Sequence, residues 1–136
     1  MNPCVVYFSR TGNTRRFAEA IADAVKAPIF DLASIQPSAL ASFDVVILGS
    51  PVEGGSPTKE AVAFVEGMPV VVGKKAVVFC TNRLFGAGRT MGILEKMLEG
   101  RGYETVAKVS KRGMKPDREA DFTREVAEIK KALEKP

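Results

Sequence analysis

The residues near the amino terminus that are best suited to binding chemistry are hydroxyl, amide and glycine residues in one short segment. The segment consists of Ser9, Arg10, Thr11, Gly12, Asn13 and Thr14. It follows a short apolar run and precedes a helical pattern. A loop that leads into a helix exposes unpaired backbone N–H groups and the positive end of the helix dipole, and hydroxyls add further donors. The segment therefore predicts a binding site for a phosphate group.

Backbone groups, rather than the charge of Arg10, are expected to hold this phosphate. A hydrogen bond to a charged group contributes about 1.5–3 kcal/mol, whereas an exposed ion pair contributes only about 0–1 kcal/mol. Gly12 lets the backbone approach the anion closely. The alternative is a simple helix cap formed by Thr11 or Asn13, but such a run of donor-rich residues exceeds what capping requires.

Apolar runs alternate with helical patterns from one end of the chain to the other. Strands are predicted over Pro3–Phe8, Pro28–Leu32, Asp44–Gly49, Lys75–Cys80 and Glu104–Val109. Helices are predicted over Thr14–Val25, about Pro57–Met68, about Thr90–Glu99, and a final stretch with Phe122, Val126, Ile129 and Leu133 on one side. We therefore expect one α/β domain over residues 1–136, with helices on both faces of a five-stranded parallel sheet in the order 2-1-3-4-5. In that order, ligands bind at the carboxyl ends of the first and third strands.

The segment from Ser9 to Thr14 resembles the phosphate motif of the flavodoxin family, T/S-x-T-G-x-T, and matches it at every defined position. Gly49–Pro57 is similar to the second flavin-contacting loop of that family, and Thr81–Gly88 stands at the place of the third. The resemblance covers essentially the whole chain, and the uninterrupted fifth strand resembles the short-chain members. It implies a three-layer flavodoxin-like fold.

The cofactor that this resemblance implies is flavin mononucleotide (FMN). The residues it assigns to FMN are Ser9, Arg10, Thr11, Gly12, Asn13, Thr14, Pro51, Val52, Glu53, Gly54, Gly55, Thr81, Asn82, Phe85 and Gly86. The first six would bind the phosphate, with Arg10 and Gly12 contributing their backbone, and the others would flank the ring. Gly54 is the candidate for the peptide that turns over to accept a hydrogen bond from the reduced flavin. The resemblance assigns no catalytic residue and no metal ligand.

The ring end of this predicted site departs from the family. Flavodoxins commonly stack a tryptophan or tyrosine on the flavin ring, whereas this chain has no tryptophan, and Tyr7 and Tyr103 fall in or beside strands. Phe85 is the only aromatic residue in either ring loop. Glu53 is either a solvated loop residue or a carboxylate near the ring. There it would oppose the negative charge of the fully reduced flavin or deliver a proton.

The resemblance implies an electron carrier, which we favour over a small NAD(P)H-dependent FMN reductase. An alternative from another class is a flavodoxin-fold binding module that has lost its flavin. The sparse aromatic residues favour that alternative, and the intact phosphate motif argues against it. The net charge of +4 is unusual for a family whose carriers tend to be acidic. We therefore expect an acidic redox protein as partner, with the chain a monomer or a homodimer.

Composition argues against several other classes. The basic stretch from Lys108 onward contains one aromatic residue, Phe122, so it does not predict a nucleic-acid surface. No apolar run approaches the roughly 18 residues of a membrane span, and the start lacks a signal-peptide pattern, so we expect a cytoplasmic protein without membrane contact. The chain has no histidine, which argues against zinc. Cys4 and Cys80 lie in apolar runs and are expected to be buried.

Replacing Gly12 with valine should abolish FMN binding and leave the fold intact, because the loop needs backbone conformations that valine resists. Flavin fluorescence quenching measures the binding, and circular dichroism measures the fold. A dissociation constant within about threefold of the wild-type value would count against the predicted phosphate loop.

Overall fold

The computed structural model describes residues 1–135. Its strands are β1 (Pro3–Tyr7), β2 (Ile29–Asp31), β3 (Val45–Glu53), β4 (Ser56–Pro57), β5 (Lys74–Asn82) and β6 (Tyr103–Arg112). Its α-helices are α1 (Asn13–Val25), α2 (Lys59–Glu66), α3 (Ala87–Glu99) and α4 (Thr123–Glu134). Two short 3₁₀ turns, Leu32–Ser34 and Pro37–Ser42, lie between β2 and β3. None of the helices in this part of the chain is long and apolar enough to cross a membrane.

Five strands form a parallel sheet in the order β2-β1-β3-β5-β6. This is the predicted 2-1-3-4-5 order once the two-residue β4 is set aside. The strand order reverses beside β1, where Tyr7 is aligned with Gly49 of β3. Ser50 of β3 is in turn aligned with Cys80 of β5. The carboxyl ends of β1, β3 and β5 therefore meet at one edge of the sheet, and the loops that follow them begin side by side.

Side chains of the central strands alternate between two separate cores. On β1, Cys4 and Val6 face one core, whereas Val5 and Tyr7 face the other. Strands β3 and β5 follow the same alternation. Since both faces of the sheet are covered, the buried central part of each of these strands is apolar, which produces a continuous apolar run in the sequence.

Helices α2 and α3 cover one face of the sheet, and α1 and α4 cover the other. Phe17 of α1 is fully buried between two rings. It stacks on Phe122 with 5.0 Å between ring centroids, and it meets Phe79 of β5 edge-on at 5.2 Å. These contacts hold the amino-terminal half of α1 against β5 and against the start of α4.

The structure differs from the sequence-based expectation around β4. The second helix was expected from about Pro57, but Pro57 lies in β4, which pairs antiparallel with the end of β3. Helix α2 begins instead at Lys59, because the hydroxyl of Thr58 accepts the backbone N–H of Ala61 (3.2 Å) and caps the first turn. Helix α3 also begins earlier than expected, at Ala87. The sequence pattern did not predict this start because glycines in the first turns interrupt the apolar periodicity.

Cys4 and Cys80 are fully buried, as predicted. Burial in apolar surroundings raises the pKa of each thiol to about 12. Both thiols therefore stay protonated near neutral pH, where the reactive thiolate form is scarce. Each cysteine acts as a small core residue.

Changing Gly49 to alanine should lower the free energy of unfolding by about 1–3 kcal/mol, since the core there is already full. A Cβ at Gly49 would lie 2.1 Å from the ring of Phe79. The control is Gly92→Ala in α3, where a Cβ meets nothing within 4 Å. Removing that helical glycine should stabilise the protein by about 1 kcal/mol. Urea unfolding compares the two, and a Gly49→Ala variant as stable as the wild type would contradict this packing.

Candidate functional site

The residue at the N-cap position of α1, at the end of the loop from β1, provides no side-chain hydrogen bond to the first turn of the helix. That residue is Gly12, which adopts the left-handed conformation at φ 95° and has no side chain. Within residues 1–135, the backbone N–H groups of Thr11, Asn13 and Thr14 donate no hydrogen bond. The capping role considered for Thr11 or Asn13 is therefore wrong. Unpaired donors remain together at the positive end of the helix.

Several side chains of the phosphate loop are engaged within the protein. The hydroxyl of Ser9 accepts the N–H of Gly12 (3.0 Å) and a second N–H from the first helical turn (3.3 Å), so its own hydrogen is left to donate. Thr14 Oγ1 is buried and lies 2.7 Å from Thr81 Oγ1, which ties α1 to β5. Asn13 Nδ2 donates to the Met114 carbonyl at 3.2 Å. What Asn13 and Thr14 offer an anion is chiefly their backbone N–H.

The side chain of Arg10 bridges the phosphate loop to the second loop and to α2. Its guanidinium donates to both carboxylate oxygens of Glu53 and to Glu60 at 2.9 Å, and it lies 4.8 Å from the centroid of the Phe8 ring. The bonds to Glu53 and then Glu60 raise the pKa of Arg10. The pKa of Glu60 is lowered, first by a hydrogen bond from its own backbone and then by Arg10. Glu53 is therefore a paired carboxylate rather than an isolated charge.

The second loop is a tight hairpin that joins β3 to β4. Glu53 pairs with Ser56 across it. Gly54 and Gly55 form the turn with φ of 59° and 77°, and positive φ at both central residues is what a two-residue hairpin turn of type I′ requires. At the base of the hairpin, the hydroxyl of Ser50 accepts a hydrogen bond from the backbone N–H of Thr58, the residue before α2 (3.2 Å). Gly54 thus lies at an exposed tip, where its backbone is free of packing constraints.

The third loop packs directly against this hairpin. Gly86 caps α3 in the left-handed conformation, at φ 96°. A Cβ at Gly86 would lie 2.8 Å from Gly55 Cα and 2.9 Å from Val52 Cγ1, so only glycine allows the two loops to approach this closely. Before Gly86, the side chains of Leu84 and Phe85 are 73% and 75% exposed. The third loop therefore has one face on the hairpin and an apolar surface open to solvent.

These loops and the segment after β6 surround a cleft of about 570 Å³. It is lined by Arg10, Thr11, Asn13, Thr14, Pro51, Val52, Glu53, Thr81, Asn82, Arg83, Leu84, Gly113, Met114, Lys115 and Pro116. The volume lies in the range of about 300–1,000 Å³ that is usual for small-molecule and cofactor sites. The cleft spans the carboxyl ends of β1, β3, β5 and β6.

Nine of the predicted FMN residues line this cleft: Arg10, Thr11, Asn13, Thr14, Pro51, Val52, Glu53, Thr81 and Asn82. Six do not: Ser9, Gly12, Gly54, Gly55, Phe85 and Gly86. Ser9 and Gly12 stabilise the conformation of the phosphate loop through the hydrogen bond from the Gly12 N–H to the Ser9 hydroxyl. Gly55 and Gly86 form the contact between the hairpin and the third loop, and Gly54 lies at the exposed tip of the hairpin. Phe85 does not line the cleft, and its side chain is open to solvent.

The two ends of the cleft fit the two ends of FMN. At one end are the unpaired backbone donors of the phosphate loop, which suit a phosphate group. Among the other lining residues, the side-chain oxygen of Asn82 is buried and has no hydrogen-bond partner within residues 1–135. A buried carbonyl oxygen without a donor costs free energy, and the N–H of a flavin ring would satisfy it. The residues present therefore fit FMN.

Residues 113–116 also line the cleft, and the sequence-based prediction missed them. This segment follows β6, whose carboxyl end reaches the same edge of the sheet, with Arg112 aligned with Asn82. Gly113 turns the chain at φ 75°, and its N–H donates to the Asn82 carbonyl at 2.9 Å. The signal available in the sequence was Gly113 itself, directly after a strand that runs parallel to the others.

Comparisons with known proteins agree on one family. A family model described as a flavodoxin domain matches residues 4–100. The flavodoxin of Megasphaera elsdenii is 33% identical over 110 residues, which cover 75% of this chain and 80% of that protein. The residues that the family model matches include the phosphate loop, the hairpin and the third loop.

Solved structures give the same result at the level of the fold. The solution structure of two-electron reduced Megasphaera elsdenii flavodoxin is 28% identical, with a TM-score of 0.77 and 96% of each chain covered. A flavodoxin from Streptococcus pneumonia TIGR4 is 19% identical, with a TM-score of 0.78, and covers 98% of this chain and 96% of that one. Flavodoxins bind FMN and transfer electrons to redox partners. This chain belongs to the flavodoxin family and is a short-chain, FMN-binding electron-transfer flavoprotein.

Proposed function

We propose that the backbone N–H groups of Thr11, Asn13 and Thr14, with the hydroxyl of Ser9, hold the FMN phosphate. The observation that carries this proposal is that these three N–H groups are unpaired within residues 1–135 and lie at the positive end of α1. Bound FMN supplies the electron-transfer chemistry, because its ring takes up and releases electrons. The chain itself binds and orients the cofactor.

The ring end of the cofactor is proposed to lie between the hairpin and the third loop. Pro51 and Val52 line the cleft on one side, and Asn82 and Leu84 line it on the other. The unpartnered oxygen of Asn82 supports this orientation, since it offers an acceptor to a ring N–H. An aromatic stack on the ring plays no part in the proposal.

Changing Gly86 to alanine should weaken FMN binding by about tenfold or more, because the new methyl group would force the third loop away from Gly55 and Val52. Fluorescence titration with FMN measures the effect. The control is Gly92→Ala, which makes the same change in α3 where a Cβ meets nothing, and it should bind FMN as the wild type does. Equal affinities for the two variants would contradict the proposed ring position.

The proposed role of the loaded protein is that of a carrier that docks an acidic redox protein. The surface that supports this role is the third-loop patch, which we define as Arg83, Leu84, Phe85 and Arg89. The chain from Arg83 to Arg89 contains no acidic residue, and in residues 1–135 neither arginine pairs with a carboxylate. All four side chains are exposed.

The residues around the cleft carry the same sign of charge as the patch. Arg83 and Lys115 line the cleft as cations, and the other two charged lining residues, Arg10 and Glu53, pair with each other. Two exposed apolar side chains beside unpaired cations suit an acidic protein surface, which the cations attract and the apolar groups then contact. The same charges disfavour a basic partner.

The rate of electron transfer from the reduced protein should depend on salt concentration differently for acidic and for basic acceptors. With an acidic b-type cytochrome, the bimolecular rate should fall by about tenfold between low and physiological ionic strength, because salt screens the attraction. With a basic c-type cytochrome, the rate should stay constant or rise. Stopped-flow absorbance of the reduced cytochrome measures both rates.

A charge-reversed variant tests whether the third-loop patch is responsible. Arg83→Glu with Arg89→Glu should lower the low-salt rate with the acidic cytochrome by at least about threefold. The control is Lys130→Glu with Lys131→Glu, an equal change of charge on exposed residues of α4 away from this edge of the sheet. A rate with the acidic acceptor that rises with salt, or an equal loss in both variants, would contradict the proposed docking.

A further inference from the structure

The segment after β6 is hydrogen-bonded to the start of α1 by the side chains of Arg16 and Asn13. We define the strap as residues 113–118, from Gly113 to Arg118. Arg16 of α1 donates to the Lys115 carbonyl at 3.0 Å and to the Arg118 carbonyl, and it also donates to Asn13 Oδ1 at 3.3 Å. The two carbonyls lie 99 and 102 residues from Arg16 along the chain, so these are long-range contacts.

The strap in turn fixes the side chain of Asn13. Asn13 Nδ2 donates to the carbonyl of Met114, a strap residue, and Asn13 Oδ1 accepts from Arg16. Both ends of this amide are therefore held, and the backbone N–H of Asn13 is one of the unpaired donors at the start of α1. Arg16, Asn13 and the strap form a closed set of hydrogen bonds behind the phosphate loop.

The chemistry of the guanidinium explains why an arginine stands at position 16. Its planar group carries five N–H donors in a fixed arrangement, so it serves two carbonyls and an amide oxygen at once. A lysine at this position would keep the charge but offer its donors from a single point. Within residues 1–135, the side chain of the neighbouring Arg15 makes no hydrogen bond to the strap and instead pairs with Glu19 one turn along the helix.

We propose that Arg16 is a positioning residue for FMN, which holds the strap against α1 and thereby fixes the Asn13 end of the phosphate loop. Arg16 does not touch the cofactor in this account. Its effect passes through Asn13 to the phosphate, so it is specific to ligands that carry a phosphate group. The proposal rests on the phosphate site proposed above.

The test compares Arg16→Ala with Arg15→Ala, a matched change at the next position of the same helix. Arg16→Ala should weaken FMN binding by about tenfold and riboflavin binding by less than about threefold, since riboflavin lacks the phosphate. Arg15→Ala should bind both ligands as the wild type does. Arg16→Lys should remain weaker than the wild type, because charge without the planar donor group cannot hold two carbonyls.

Amide hydrogen exchange of residues 113–118 in the flavin-free protein provides a second measurement that does not depend on FMN. Exchange in the strap should rise in Arg16→Ala and stay unchanged in Arg15→Ala. The proposal is overturned if Arg16→Ala and Arg15→Ala bind FMN equally, if FMN and riboflavin weaken equally, or if exchange in the strap does not change. A wild-type protein that binds no FMN would instead overturn the phosphate site itself, while the exchange result would still report on the strap.

Discussion

The start of α1 carries unpaired backbone donors, and the rest of the site is arranged around them. Gly12 creates this situation, because its left-handed conformation ends the loop without supplying a capping side chain. Phe17 then fixes the helix in the core, where it is held between Phe79 and Phe122. The donors are therefore held beside the carboxyl end of β5, where the phosphate group proposed to bind them would do so at little cost in conformational entropy.

The charges of Arg10 and Glu53 at the cleft act as a pair and not as two independent charges. Glu53 in isolation would raise the cost of placing negative charge on a reduced flavin. In the structure it is paired with Arg10, which also binds Glu60. The same contact removes Arg10 as a free cation at the phosphate, which agrees with a site built mainly on backbone groups. Arg10 thus acts as a bridge between two loops rather than as an anion receptor.

Most of the sheet could be predicted from the sequence, whereas the walls of the cleft could be predicted only in part. Strands β1, β3 and β5 are covered on both faces, so each contains a continuous apolar run that is easy to recognise. The phosphate loop could be predicted because its chemistry lies within six consecutive residues. The strap could not be predicted, because its position depends on contacts from Asn13 and Arg16 about one hundred residues away. Local patterns do not encode such contacts.

The most direct test is a crystal structure of the protein with FMN bound. The account predicts that the phosphate oxygens lie within hydrogen-bond distance of the backbone N–H groups of Thr11, Asn13 and Thr14, with Arg10 still paired to Glu53. It also predicts a ring N–H on the side-chain oxygen of Asn82. A phosphate held instead by the guanidinium of Arg10, with the N–H groups at the start of α1 still unpaired, would contradict the account.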